Sequence, residues 1–163
     1  MKKLLTCVLA LALVLSLSVT AFAAEGSNTF VPGNSEGQGT NITYTVDPTY
    51  TVTIPATVTL GNSVTVEASG VKVAKGSQVV VKLTGTSESD NAFKVKTAEG
   101  AVLGYTVKKG ETTIDVGGAV LTVNPDSAAD GSTSLSFALN GTIQYAGTYT
   151  GTVTFTVSVE NAS

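Results

Sequence analysis

The chain has 163 residues, with nine Lys, no Arg, twelve Asp plus Glu, no His, no Trp, a single Cys and a net charge of −3. Without His, and with its one Cys at position 7, it has no material for Cys/His zinc sites or for Ser-His-Asp and Cys-His nucleophile systems. An acidic chain without Arg is also a poor match for phosphate backbones or anionic lipid, so neither nucleic acid nor a membrane surface is an expected partner.

Lys2 and Lys3 precede an apolar stretch, residues 4–19, broken only by Thr6, Ser16 and Ser18, and Ala21-Phe22-Ala23 forms a small-x-small cleavage site. This reads as a secretory signal peptide over 1–23; the alternative, an uncleaved transmembrane helix, lacks the length and the charged stop-transfer cluster. Cys7 lies at the start of the apolar region, where no lipidated Cys belongs. Removing 23 of 163 residues leaves 140, one ordinary domain, with seven Lys against twelve acids and hence a net charge of −5. That remainder has no Cys, although exported proteins often carry disulfides. The combination points to a bacterium that does not rely on oxidative folding, a Gram-positive anaerobe.

Residues 24–40, AEGSNTFVPGNSEGQGT, are dominated by Gly, Ser, Asn and Pro and read as a flexible leader. The alternative is an ordered arm around Thr29-Phe30-Val31, its only apolar element, able to add as a strand to the edge of another subunit. From Asn41 the period becomes two: Ile42, Tyr44 and Val46 alternate with Thr43 and Thr45, and the same parity resumes after Pro48 at Tyr50, Val52 and Ile54. This predicts a first strand that kinks at Pro48 and changes sheets midway, with its even residues in the core.

Further strands are expected over 64–68, 71–73, 78–83, 92–95, 102–107, 113–116, 119–123, 133–139 and 142–145. Turn signals separate them at Ser69-Gly70, Lys75-Gly76, Glu99-Gly100, Lys109-Gly110, Gly117-Gly118 and Asn140-Gly141. The closing stretch, AGTYTGTVTFTVSVE over 146–160, puts Tyr149, Val153, Phe155, Val157 and Val159 on one face. Its other face is all hydroxyl, from Thr148 to Ser158. The odd face is expected in the core. The hydroxyl face has three readings: β propensity with solubility, a contact face to a neighbouring subunit or a glycan, or an ice-binding ladder, which lacks the flat repeats it needs. Many short strands at 8–12-residue spacing, with no helical period and no internal repeat, predict an all-β, antiparallel Ig-like β-sandwich of about 7–10 strands over 41–163.

Candidate chemistry is sparse. Glu88 with Asp90, and Asp126 with Asp130, are the carboxylate pairs, without the flanking aromatics a glycosidase pair needs. Asn124, Asp126 and Asp130 offer calcium-like oxygens without EF-hand spacing, and read as a solvated loop. Lys82 and Asn161 are conceivable partners for an intramolecular isopeptide bond, against the commoner reading of Lys82 as a surface lysine. Tyr44, Tyr50, Tyr105, Tyr145 and Tyr149 are the aromatics available to a glycan platform. Tyr44, Tyr50 and Tyr149 share the parity of core positions, and Tyr149 is placed to make a tyrosine-corner hydrogen bond. No catalytic, cofactor-binding or metal-binding residue is assigned.

Two stretches resemble known families. YTVTIPATVTL (50–60), after ITYTVDPT, resembles the opening strands of Ig-like domains in secreted surface proteins of Firmicutes, including relatives of the WxL group. AGTYTGTVTFTVSV (146–159) is similar to the closing strand of spore coat protein U-type and related pilus-subunit domains. The resemblance implies a surface or fibre role. The absence of Trp removes the WxL wall-binding motif, and no LPxTG-type signal or apolar tail supports covalent wall anchoring. The expected function is a secreted, non-enzymatic surface, adhesion or fibre-forming subunit, associating with itself or with a surface protein. The alternative is a small extracellular module binding a glycan or a peptide.

Overall fold

The structure, a computed structural model, describes residues 37, 40–87, 90 and 92–162. The expected signal peptide, nearly all of the leader with Phe30 and Val31, and Glu88 lie outside the described residues. The described chain forms nine strands and no helix: β1 (Thr49–Thr53), β2 (Ser63–Lys72), β3 (Ser77–Thr86), β4 (Lys94–Lys96), β5 (Val102–Lys109), β6 (Thr112–Thr113), β7 (Ala119–Val123), β8 (Gly131–Asn140) and β9 (Val153–Asn161). All pairings are antiparallel. One sheet runs β1-β2-β8-β5-β4, with β6 also on β5; the other runs β7-β3-β9. No helix among the described residues is long and apolar enough to cross a membrane.

The two sheets share one core. Val66 and Ala68 of β2, Leu103, Tyr105 and Val107 of β5, and Leu135 and Phe137 of β8 meet Val79, Val81 and Leu83 of β3 and Leu121 and Val123 of β7. These are the alternate positions of each strand, as a two-residue period requires. Phe93, Tyr105 and Phe137 extend it as an aromatic row, with ring centroids 5.5 Å and 6.1 Å apart. The all-β, two-sheet antiparallel architecture is the one the strand spacing predicts, and nine strands fall within the expected range.

Several expected elements change. Ser69-Gly70 is no hairpin turn: β2 runs through it, and the β1 ladder slips by one residue there, from Thr51↔Ser69 to Thr49↔Lys72. Gly70, at φ +61°, supplies the left-handed residue of a bulge, and its N–H donates to Asp130 Oδ1 at 2.7 Å. Of the expected strand 113–116 only Thr113 lies in a strand, the two-residue β6. Residues 142–145 form no strand, leaving Ile143 and Tyr145 55% and 64% exposed.

The predicted first strand begins only at Thr49. Ile42, Tyr44 and Val46 are not core residues but exposed by 93%, 90% and 62%. Their alternation is real; what is missing is a partner strand. Nor does the chain change sheets at Pro48, since β1 pairs with β2 alone. The change comes at the other end. Thr150 exchanges both backbone bonds with Lys96, the last residue of β4, at 2.9 Å each, and three residues later β9 begins pairing with β3 in the opposite sheet. Gly151 is the crossing point. A Cβ there would lie 2.7 Å from the Lys94 carbonyl oxygen, so only Gly admits so close a passage.

Candidate functional site

β9 occupies an edge of the three-stranded sheet, with β3 on its inner side. The parity read from the sequence holds, because Tyr149, Val153, Phe155 and Val157 all pack against the core. They are only half-buried, however, and Val159 is exposed, because an edge strand is covered from one side alone. Tyr149, Val153 and Phe155 border a groove. Its wider part, about 430 Å³, is lined by Val58 and Leu60 from the β1–β2 connection, Leu103, Tyr105 and Phe137 from the large sheet, and Val153 at the start of β9, among others. A narrower part of about 250 Å³ continues between Ile54, Pro55 and Val58 on one bank and Val153 and Phe155 on the other. Sequence reasoning missed this groove. Its walls come from five separate segments, and only the placement of β9 at an edge brings them together.

The closing segment is held to the rim by the expected tyrosine corner: Tyr149 donates its hydroxyl to the Tyr145 carbonyl at 2.9 Å, four residues upstream. Of the other tyrosines, Tyr105 is buried, which pushes its hydroxyl pKa up through desolvation. Tyr50 packs half-buried on the core. Tyr44 and Tyr145 stand exposed, so Tyr44 leaves the core group to which its parity assigned it.

On the outer face of the same sheet, the hydroxyl residues are in use. Thr84 and Thr156 hydroxyls lie 2.8 Å apart. Lys82 is opposite Thr156, and Glu160 is opposite Gln78. Their 2.6 Å ion pair therefore runs diagonally over the Val80–Ser158 pair, and Val80 is 3% exposed on this non-core parity. The Lys82 hydrogen bond and then that of Ser158 hold the Glu160 carboxyl below its ordinary 4.5. Both side chains are more than a third exposed, so the bridge is a strap of small energetic weight. Lys82 and Asn161 are not brought together as an isopeptide bond requires. Asn161 is opposite Ser77, five positions along the ladder, which is about 16 Å at 3.3 Å per residue.

The remaining sequence candidates hold loops. Asn124 Oδ1 accepts the Asp126 N–H at 2.9 Å, and the Asn124 carbonyl accepts the Ser127 hydroxyl. Asp130 pins the bulge at Gly70. Asp90 bonds Lys94 at 2.7 Å, which holds its carboxyl below the ordinary 3.8. Among the described residues, no three His, Cys, Asp or Glu side chains converge as metal ligands would. Comparison with protein-family models and with curated proteins returns no match.

Proposed function

We propose that the chain is a secreted, non-enzymatic β-sandwich, Ig-like in kind, serving as a bacterial surface, adhesion or fibre-forming subunit. The observation that carries this reading is the nine-residue edge strand β9, whose outer edge pairs with no strand among the described residues and whose Val153 and Phe155 border a groove. An enzyme cleft would instead be expected to gather polar groups with shifted pKa values. The groove is lined mainly by Val, Leu, Ile, Phe and Tyr. Among the described residues, the titratable groups with shifted values are Tyr105, shifted by burial, and two carboxylates, each bonded to one Lys. The start of the chain supports export through 1–23.

The test is fractionation of a Gram-positive host expressing the full chain, with intact-mass analysis of each fraction. A form beginning at Ala24 in the medium or released from the cell surface, partly in particles larger than one chain, is the expected result. Retention of Met1 with all protein inside the cell contradicts export. An exported form that is strictly monomeric and bound to wall glycan or to a peptide transfers the groove to the alternative reading, a small binding module.

A further inference from the structure

A sheet edge presents a row of unpaired N–H and C=O groups, and folded proteins blunt it with short strands, Pro, Lys or bulges. Most edges of this fold are blunted in these ways. β1 is five residues between Pro48 and Pro55, with a bulge in its ladder. β4 is three residues, carries Lys94 and Lys96, and is bonded by Thr150. β6 has two residues and β7 five. β9 has nine residues without Pro, Lys or Gly, its ladder with β3 shifts register once, between Leu83 and Gly85, and among the described residues no strand pairs with its outer edge. Beneath that edge the inner face is unfinished: Phe155 and Val157 are half-buried and Val159 is 45% exposed.

The same chain carries a segment with the opposite deficiency. Residues 41–46, NITYTV, have strand alternation and three large apolar side chains on one parity, yet they pair with nothing described and leave those side chains in solvent. Extended, six residues span about 20 Å, enough to lie along most of β9. Neither this segment nor β9 from 153 to 159 carries a charge, so two copies of an acidic chain meet there without local repulsion. The wider groove is roughly three times the ~150 Å³ apolar cavity that holds one benzene ring, which is room for side chains of this kind.

We propose that residues 41–46 of one copy add as a strand to the outer edge of β9 in a second copy, with Ile42, Tyr44 and Val46 entering the groove. This rests on the assembly reading above and names its donor and acceptor. In its own chain the segment stands in solvent ahead of Pro48, so the occupant comes from another molecule. Main-chain bonds along β9 supply affinity, and the groove sets the register. Thr43 and Thr45 then extend the outer hydroxyl face beside Thr154 and Thr156, where cross-strand Thr pairs are favourable. Donor and acceptor are different surfaces, so the contact is head-to-tail and builds rings or filaments rather than a closed dimer.

The test uses the exported chain and a variant carrying Ile42→Ser, Tyr44→Ser and Val46→Ser together. These positions are exposed, so the variant keeps the wild-type Tm, and the substitutions leave net charge unchanged. Light scattering across rising concentration is expected to show wild-type mass growing beyond one chain. The variant should associate about tenfold more weakly or worse, a loss of ~1.4 kcal/mol per tenfold. The variant retains its acceptor edge, so a synthetic peptide of residues 40–47 is expected to bind it one to one. If wild type and variant assemble alike, the donor assignment falls while the assembly reading stands. If wild type stays monomeric throughout, both fall. Failure of the peptide to bind a folded variant overturns the acceptor assignment.

Discussion

Replacing Phe137 with Ala is expected to cost about 3–5 kcal/mol of stability. Phe137 sits 2% exposed on β8, the central strand of the larger sheet, with its ring against Tyr105. Its backbone also anchors the β1–β2 connection: its carbonyl accepts the Gly61 N–H at 2.7 Å and its N–H donates to the Asn62 carbonyl. These bonds survive the substitution, so the loss reports on the ring alone. Phe137 also floors both parts of the groove, so its removal joins a new void to an existing one rather than letting the core collapse. Leu139→Ala, two residues along the same strand and 41% exposed, is the control and should cost about 1 kcal/mol or less. Urea unfolding with an unchanged m-value measures both. A loss below about 1 kcal/mol for Phe137→Ala would mean that the core lies elsewhere.

The second large effect separates the two faces of β9. Phe155→Asp places an unpaired carboxylate among Ile54, Pro55 and Val64 and is expected to cost about 3 kcal/mol or more. Thr154→Asp, its neighbour, points to the exposed face and is expected to cost about 1 kcal/mol or less. Thermal melts of the two variants give the comparison directly. Equal and large losses would show the strand covered on both faces and would overturn the parity assigned to β9.

Strand parity was legible from the sequence because a two-residue period is a local property. The bounds of β7, 119–123, and the inward residues of β9 follow from it. Parity carries no information about whether a partner strand exists. Residues 42–46 and 142–145 alternate as well as β7 does, yet neither is a strand, since ladder bonds need a neighbour that the topology does not supply. Gly has a similar ambiguity. In Glu99-Gly100 and Lys109-Gly110 a left-handed Gly joins paired strands, β4 to β5 and β5 to β6, whereas the same conformation at Gly70 makes a bulge inside β2. The tyrosine corner was legible because its two ends lie four residues apart. The groove was not, because Val58, Leu103, Phe137 and Val153 meet only after both sheets have formed.

Assembly by strand addition joins two features that parity leaves unread: an alternating segment without a partner, and a long edge strand without a neighbour. Hydrogen exchange resolved to single amides, on dilute monomer and on assembled protein, tests their pairing most directly. In the monomer, alternate amides of β9 bond to β3 and are protected, while the intervening set, which points to the outer edge, exchanges fast. On assembly, that intervening set and the amides of 41–46 are expected to become protected together, with the edges of β1 and β7 unchanged. Assemblies in which the outer amides of β9 still exchange as in the monomer, or in which protection appears along β1 or β7 instead, would contradict strand addition at β9.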